Sequence, residues 1–429
     1  ETVYGLAANA ADPRAVLRLL EVKGRRVGNP LAVAIHHGDE AAAYCPDLSA
    51  VGHRLARRCW PGPLTLVLDS QHPDSRLGQL SQEVRHAVAP DGTVGLRVPD
   101  HPVLLAALRR LGGPLVLTSA NRSGQAEALT GEEVLAALGN AVDLVLSDGR
   151  SKYAQPSTVV RVAGNRLNIL RQGVLTESAL QRYASLIVLM VCTGNTCRSP
   201  MAQVLFQQRV AQRLKCRPDQ LEDRGVMIMS AGVSAMSGGR AAEEAVQAMQ
   251  ERGLDLSHHE TRPLHDVLVR FADLILAMTR GHREAIVEQW PDAASRTELL
   301  RRDHSDVVDP IGNSVEVYRR CADQLDEHLF FPKLLGFGQL RLVTRRDVDT
   351  IDYFVRPRQG ISIGGAAAVV GLQTCLWFDG FLDLMDGVRC AVRGLPALMR
   401  STSSCLTRVC ATSWNRFVMS RWKSWIWGA

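Results

Sequence analysis

No apolar run in this sequence is persuasive as a membrane-spanning helix. The nearest, residues 361–378, is rich in Gly and Ala and holds Gln373 and Thr374, so no membrane partner is expected. There is no secretory leader, although the chain starts at Glu1 without a methionine. The ten cysteines show no close metal-like pairing, and no metal site is expected. Glutamate is missing after Phe330, where 13 Lys and Arg face 6 Asp. The tail thus carries +7 of a formal +6 and leaves −1 for everything before it. The basic pI therefore gives no ground for RNA binding by the N-terminal part. Apolar and charged contents of 46% and 22% are ordinary, and 429 residues suffice for two or three domains with real cores.

What is present is concentrated in residues 191–200, VCTGNTCRSP. The apolar run LIVLMV ahead of it has the size of a buried strand. Ser199 and Pro200 read as the cap and first turn of a helix running to Leu214. A strand, tight loop and helix in that order would place backbone N–H groups and a helix N-terminus around the sulfur of Cys192. Arg198 adds a planar fork suited to a phosphoryl group. Cys192 is the candidate nucleophile, since such surroundings favour thiolate over thiol. It would need a reducing compartment, which points to the cytoplasm. Asn195 is expected to hold the loop's shape, and Ser199 to hydrogen-bond the sulfur. Cys197 either protects Cys192 through a reversible disulfide or is simply buried. Displacement at phosphorus also needs an acid; Asp309, followed by Pro310 and Gly312, leads, with Asp303 and Asp306 as open alternatives.

The first 178 residues mix strand and helix patterns. Strands are expected at 31–35, 64–68, 94–99, 114–119, 143–149 and 157–162, and helices at 48–59 and 102–111. Lys23 and Arg25 are candidate phosphate clamps, or a solvated helix end. Ser119, Asn121 and Ser123 could receive a ligand or form an ordinary polar turn, and Arg97 lies on the polar face of its strand. From about 184 to 329, strands and helices alternate as in a small parallel α/β domain. The expected organisation is an α/β or α+β domain with a substantial sheet (1–178), a small parallel α/β domain (184–329), and an irregular basic Trp- and Cys-rich tail (330–429).

The ordered segments TVYGLAANA, KGRR, WPGPLTLVL, VGLRVPDHP, LTSANRSG, STVV and LRQG resemble the YrdC/Sua5 family of threonylcarbamoyl-AMP synthases. The resemblance implies a twisted α/β fold with a large concave cleft that joins threonine, bicarbonate and ATP into threonylcarbamoyl-adenylate and releases diphosphate. It implies service to tRNA threonylcarbamoyladenosine modification, directly or through partner transferase proteins. By matching motif, Thr2 and Tyr4 would line the cleft, and Lys23 and Arg25 would hold the triphosphate. Ser119 and Asn121 would bind the carboxylated threonine and phosphate, with Arg97, Ser157 and Arg171 as further contacts. Mg²⁺ is implied by ATP. Family members begin further upstream with an additional strand, so the resemblance implies an incomplete N-terminus here. If Glu1 were the true start, the synthase cleft would be inactive, and the alternative is an RNA-binding module joined to an active phosphatase.

VCTGNTCRSPMA with MSAG, ADLILAMT and VVDPIG resembles the low-molecular-weight protein tyrosine phosphatases. That implies attack by Cys192, phosphoryl binding by Arg198, and Asp309 acting as acid and then base, without a cofactor. The resemblance gives Thr193, where tyrosine phosphatases usually have a larger aliphatic residue and protein-arginine phosphatases have threonine. Ile311 follows Pro310, without the aromatic pair that grips phosphotyrosine. A phosphorylated protein is the expected partner, with phosphoarginine ahead of phosphotyrosine.

Overall fold

The structure is a computed structural model of the chain and describes residues 1–25 and 28–329. The expected irregular tail lies outside the described residues.

A seven-stranded mixed sheet gathers β1 (Gly5–Asn9), β2 (Ala32–Ala34), β3 (Leu64–Asp69), β4 (Thr93–Arg97), β5 (Leu115–Ser119), β6 (Thr158–Ala163) and β7 (Arg166–Arg171). Their order is β1-β5-β2-β4-β3-β6-β7. β2 runs parallel to β4, and β3 to β6; the other neighbours are antiparallel. Val33, Leu64, Leu66, Leu96 and Val116 are fully buried at its centre. The helix Pro13–Lys23 is bounded by local chemistry. Asp12 accepts the amides of Arg14 and Ala15, Pro13 supplies a preset φ, and Gly24 closes it at φ 60°. That boundary delivers Lys23, the last helical residue, inward to the end of β5.

The segment expected as a strand at 143–149 is instead an open loop, with Leu144 and Leu146 exposed. Its short apolar run, Leu144–Leu146, imitates a strand, but it pairs with none of the described strands. Tyr4 Oη donates to Gly149 O (2.6 Å) and meets Ser147 Oγ (3.0 Å), tying the loop beside the cavity described below. The stretch 173–185 between the two sheets contains the helix Glu177–Ala184, capped by Thr176, whose Leu180 and Ala184 pack into the first core.

One residue later the chain enters β8 (Leu186–Cys192), the inner strand of a second sheet. With β9 (Val226–Gly232), β10 (Leu274–Ala277) and β11 (Thr297–Leu299) the order is β11-β10-β8-β9, all parallel. β8 is buried along its whole length because helices cover both faces. Val188, Met190 and Cys192 pack with Met201 and Tyr318, while Leu189 and Val191 pack with Val269 and Ile286. The chain leaves β8 first towards β9 and later towards β10. The crevice beyond the carboxyl end of β8 is therefore the topological switch point of this sheet.

A charged seam joins the two cores. Arg57 and Arg58, on the helix Ala50–Cys59, reach opposite oxygens of Asp273 at 2.6 and 2.7 Å, and Arg54 lies at 3.3 Å. Arg58 also donates to Tyr183 O and Ser185 O, each at 2.6 Å, and to Phe271 O. Arg270 returns the contact by donating to Arg57 O and Trp60 O. Burial works to raise the Asp273 pKa, but Arg58, Arg54 and Arg57 together hold it below the usual carboxylate range.

Candidate functional sites

The loop after β8 converges as its residue types require. Its helix begins at Arg198, one residue before the expected cap, and Cys197 at the cap position makes no side-chain cap hydrogen bond. The first-turn amides are thus left uncapped by any side chain. Asn195 sits in the left-handed region at φ 57° and is fully buried. Its amide donates to Ser199 Oγ (3.0 Å) and its oxygen accepts Arg262 N (2.9 Å), so this side chain does hold the loop. Ser199 Oγ lies 3.0 Å from Cys192 Sγ. Cys197 is buried against Tyr318 Oη at 3.4 Å, and burial raises its pKa.

Arg198 is almost fully buried; it donates to Asp309 Oδ2, to Thr193 Oγ1 (3.3 Å) and to Val307 O (3.3 Å). Its Nε has no hydrogen-bond partner among the described residues. Of the three candidate acids, the structure brings only Asp309 to Arg198. Asp303 is held by Arg301 and Ser305, and Asp306 by Arg280. Asp309 remains partly exposed, beside the exposed Val308 and Ile311. Sequence reasoning missed His282, whose Nε2 lies 2.8 Å from Thr193 Oγ1. No spacing pattern relates residues 193 and 282; the contact arises because helix Arg280–Gln289 begins beside the loop.

In the first sheet a cavity of about 1280 Å³ is lined by Thr2, Tyr4, Arg25, Arg97, Ser119, Ser157 and Arg171 among others. Arg25 donates to Thr118 Oγ1 (3.0 Å), and Arg171 to Ser157 O (2.9 Å) and Ser157 Oγ (3.1 Å). Thr65 adds a hydroxyl contact to Ser157 (3.0 Å). Arg97 is paired with Glu1, a partner sequence reasoning missed although it directly precedes Thr2. The buried Arg97 Nε, like that of Arg198, has no partner among the described residues. Lys23 is buried and donates to Ser119 O (2.7 Å), Ser119 Oγ (3.0 Å) and Asn121 Oδ1. It and Asn121 form the layer directly behind Ser119. Burial, then the neighbouring Arg25, lowers the Lys23 pKa to about 8. Among the described residues no cluster of three His, Cys, Asp or Glu side chains could hold a metal, and no helix is long and apolar enough to cross a membrane.

Two sites of this kind, an anion loop on a parallel sheet and a cationic cavity on a mixed sheet, define a fusion of two enzyme-type domains. Residues 1–173 match the family described as "Telomere recombination", covering Sua5, YciO and YrdC, and residues 187–335 match "Low molecular weight phosphotyrosine protein phosphatase". The chain belongs to both families, one in each part. A Bacillus subtilis protein-arginine-phosphatase is 39% identical over 146 residues, 33% of this chain and 91% of that protein. The threonylcarbamoyl-AMP synthase of the same organism is 35% identical over 181 residues, 42% of this chain but only half of that protein's length. A Methanocaldococcus jannaschii relative is 31% identical over 185 residues, 42% of this chain and 81% of its own length.

Proposed function

We propose that the chain is bifunctional, an L-threonylcarbamoyladenylate synthase (1–178) joined to a cysteine-dependent protein phosphatase (184–329) whose substrate is phosphoarginine. In the phosphatase, the Cys192 sulfur attacks phosphorus in line with the departing guanidine. Arg198 and the loop amides hold the phosphoryl oxygens as charge shifts onto them. Asp309 turns from Arg198 to protonate the leaving nitrogen, then takes a proton from the water that cleaves the phosphocysteine. Ser199 donates to the sulfur when it leaves. The observation that supports this most directly is the convergence of Cys192, Ser199, Arg198 and Asp309, with a buried Arg198 Nε–H that has no partner among the described residues. Phosphoarginine is favoured by the Thr193 hydroxyl beside Arg198 and by the aliphatic Ile311 at the rim, and the arginine phosphatase named above points the same way.

In the synthase, Arg25, Arg97 and Arg171 line a cavity of a size to take a nucleotide and threonine together, with the Lys23 charge one layer behind Ser119. They would hold the phosphates while the carbamate oxygen meets the α-phosphorus and diphosphate departs. Mg²⁺ fits this site as a companion of the triphosphate, since no dedicated cage of ligands is formed by the described residues. The adenylate then serves tRNA modification. Nothing in the structure favours the reading in which the cleft only holds RNA. The test is diphosphate release from ATP that requires both threonine and bicarbonate, with phosphatase activity measured in parallel and abolished by Cys192→Ser. Intact ATP with all substrates present would refute the synthase, and hydrolysis surviving Cys192→Ser would refute the phosphatase mechanism.

A further inference from the structure

One buried side chain at the phosphatase loop has no part in the chemistry above. His282 places Nε2 2.8 Å from Thr193 Oγ1 and Nδ1 2.9 Å from Thr279 Oγ1. Thr279 caps helix Arg280–Gln289, and its Oγ1 also accepts the backbone N–H of His282 at 3.2 Å. Thr193 Oγ1 in turn lies 3.3 Å from Arg198 Nη2, the same nitrogen that meets Asp309.

The protons of this chain can be counted. Thr279 uses a lone pair on the backbone N–H, and the acceptor its hydroxyl proton meets among the described residues is His282 Nδ1. A neutral imidazole that accepts at Nδ1 carries its hydrogen on Nε2 and must donate it to Thr193. Arg198 is donor-only, so it also donates to Thr193. Both lone pairs of Thr193 Oγ1 are then filled, and its own proton is free for a group outside the chain. Thr193 is the exposed residue of this loop, so that proton is available to a bound anion. The opposite tautomer would satisfy Thr193 internally and leave the Thr279 hydroxyl without an acceptor among the described residues.

We propose that His282 is a positioning residue of the phosphatase: fixed by Thr279 as the Nε2–H tautomer, it turns the Thr193 hydroxyl into a donor to the substrate phosphoryl group. This rests on the phosphatase reading of Cys192. Burial, and then the Arg198 charge, push the His282 pKa down to about 4, with Asp309 and Asp306 opposing, so the imidazole is neutral at physiological pH.

Two measurements on the full chain test it. The first uses the unaltered protein with ¹⁵N-labelled histidine, and reads which His282 nitrogen carries the proton. Nε2–H with a bare Nδ1 is expected, and an Nδ1–H tautomer overturns the proposal. The second titrates inorganic phosphate. Thr193→Val and His282→Ala each weaken binding about tenfold, the size of one hydrogen bond to a charged group. The double variant is no weaker than either single one, and His282→Gln, which retains an N–H donor, recovers most of the loss. Additive losses, or an unchanged His282→Ala, overturn the proposal. Neither readout needs turnover. Wild-type protein that shows the expected tautomer and coupling but hydrolyses no phosphoprotein would refute the phosphatase reading alone.

Discussion

Asp273→Ala should loosen the junction between the two domains, and the structure sets the size of the effect. The substitution leaves Arg54, Arg57 and Arg58 without their shared carboxylate. Their side chains are 11%, 31% and 0% exposed. Arg57 can turn to water and contributes little. Arg58 cannot, and removing one partner of a buried pair costs about 3–5 kcal/mol. Its remaining acceptors, the carbonyls of Tyr183, Ser185 and Phe271, soften that cost towards the lower end. Against them, the backbone N–H of Ile187 loses its 2.8 Å bond to Asp273 at the first turn of β8, about 1 kcal/mol or more. These losses share one side chain and do not simply add, so a net destabilisation of about 4 kcal/mol is expected. Urea unfolding and calorimetry of the full chain would measure it. The wild type should unfold with the two domains coupled; Asp273→Ala should separate the transitions, and Asp273→Asn should fall between. Because the folded-state pKa of Asp273 is depressed, its contribution is complete above the unfolded value and is lost as pH falls through the folded one. A variant within about 0.5 kcal/mol of wild type, with unchanged coupling, would refute the argument.

Two further outcomes follow from single positions. A Cβ at Gly232 would lie 2.4 Å from Thr193 O and 2.9 Å from Asn195 N, both backbone atoms of the anion loop. Gly232→Ala should therefore cut phosphatase kcat/KM about 100-fold by misplacing the loop, while threonine-dependent diphosphate release is unaffected; normal phosphatase activity would contradict this. Lys23, lowered to about 8, loses its charge as pH rises through that value. The KM for ATP should accordingly rise between about pH 7 and 9. Lys23→Arg, which stays charged, should flatten that rise, and a wild-type KM constant across the range would show that the Lys23 charge does not hold the phosphates.

Much of the second domain was legible because its signals are local. LIVLMV is a strand buried on both faces, and the five small or polar residues between Cys192 and Arg198 allow a tight loop. β9 is the segment VMIMSAG. Asp309 could be ranked first among three carboxylates, but only the fold shows that Asp303 and Asp306 are engaged elsewhere. Helix Glu243–Gln250 begins only after Arg240, which is taken up in a bridge to Glu260. The 143–149 loop misled for a related reason. A short apolar run such as Leu144–Leu146 reports only a tendency to burial, whereas a strand also needs a neighbour, and that is decided by distant chain. β1 escaped notice because Ala-rich GLAAN has weak strand propensity; its register against β5 holds it in place. Contacts such as Arg97 with Glu1 and Thr193 with His282 join residues 96 and 89 positions apart, and no periodicity encodes them.

The arginine seam also bears on how this polypeptide can change over generations. In a free-standing protein, Arg58 and Asp273 would each sit in water and could be replaced without much consequence. Here each is the other's solvent, one on a helix of the synthase-type domain and the other at the entrance to β10 of the phosphatase-type domain. A replacement at either position is tolerated only with an answering one at its partner. Two domains of unrelated families are thereby bound to a shared mutational history. Separating their coding sequences would leave a stranded charge on each side of the cut.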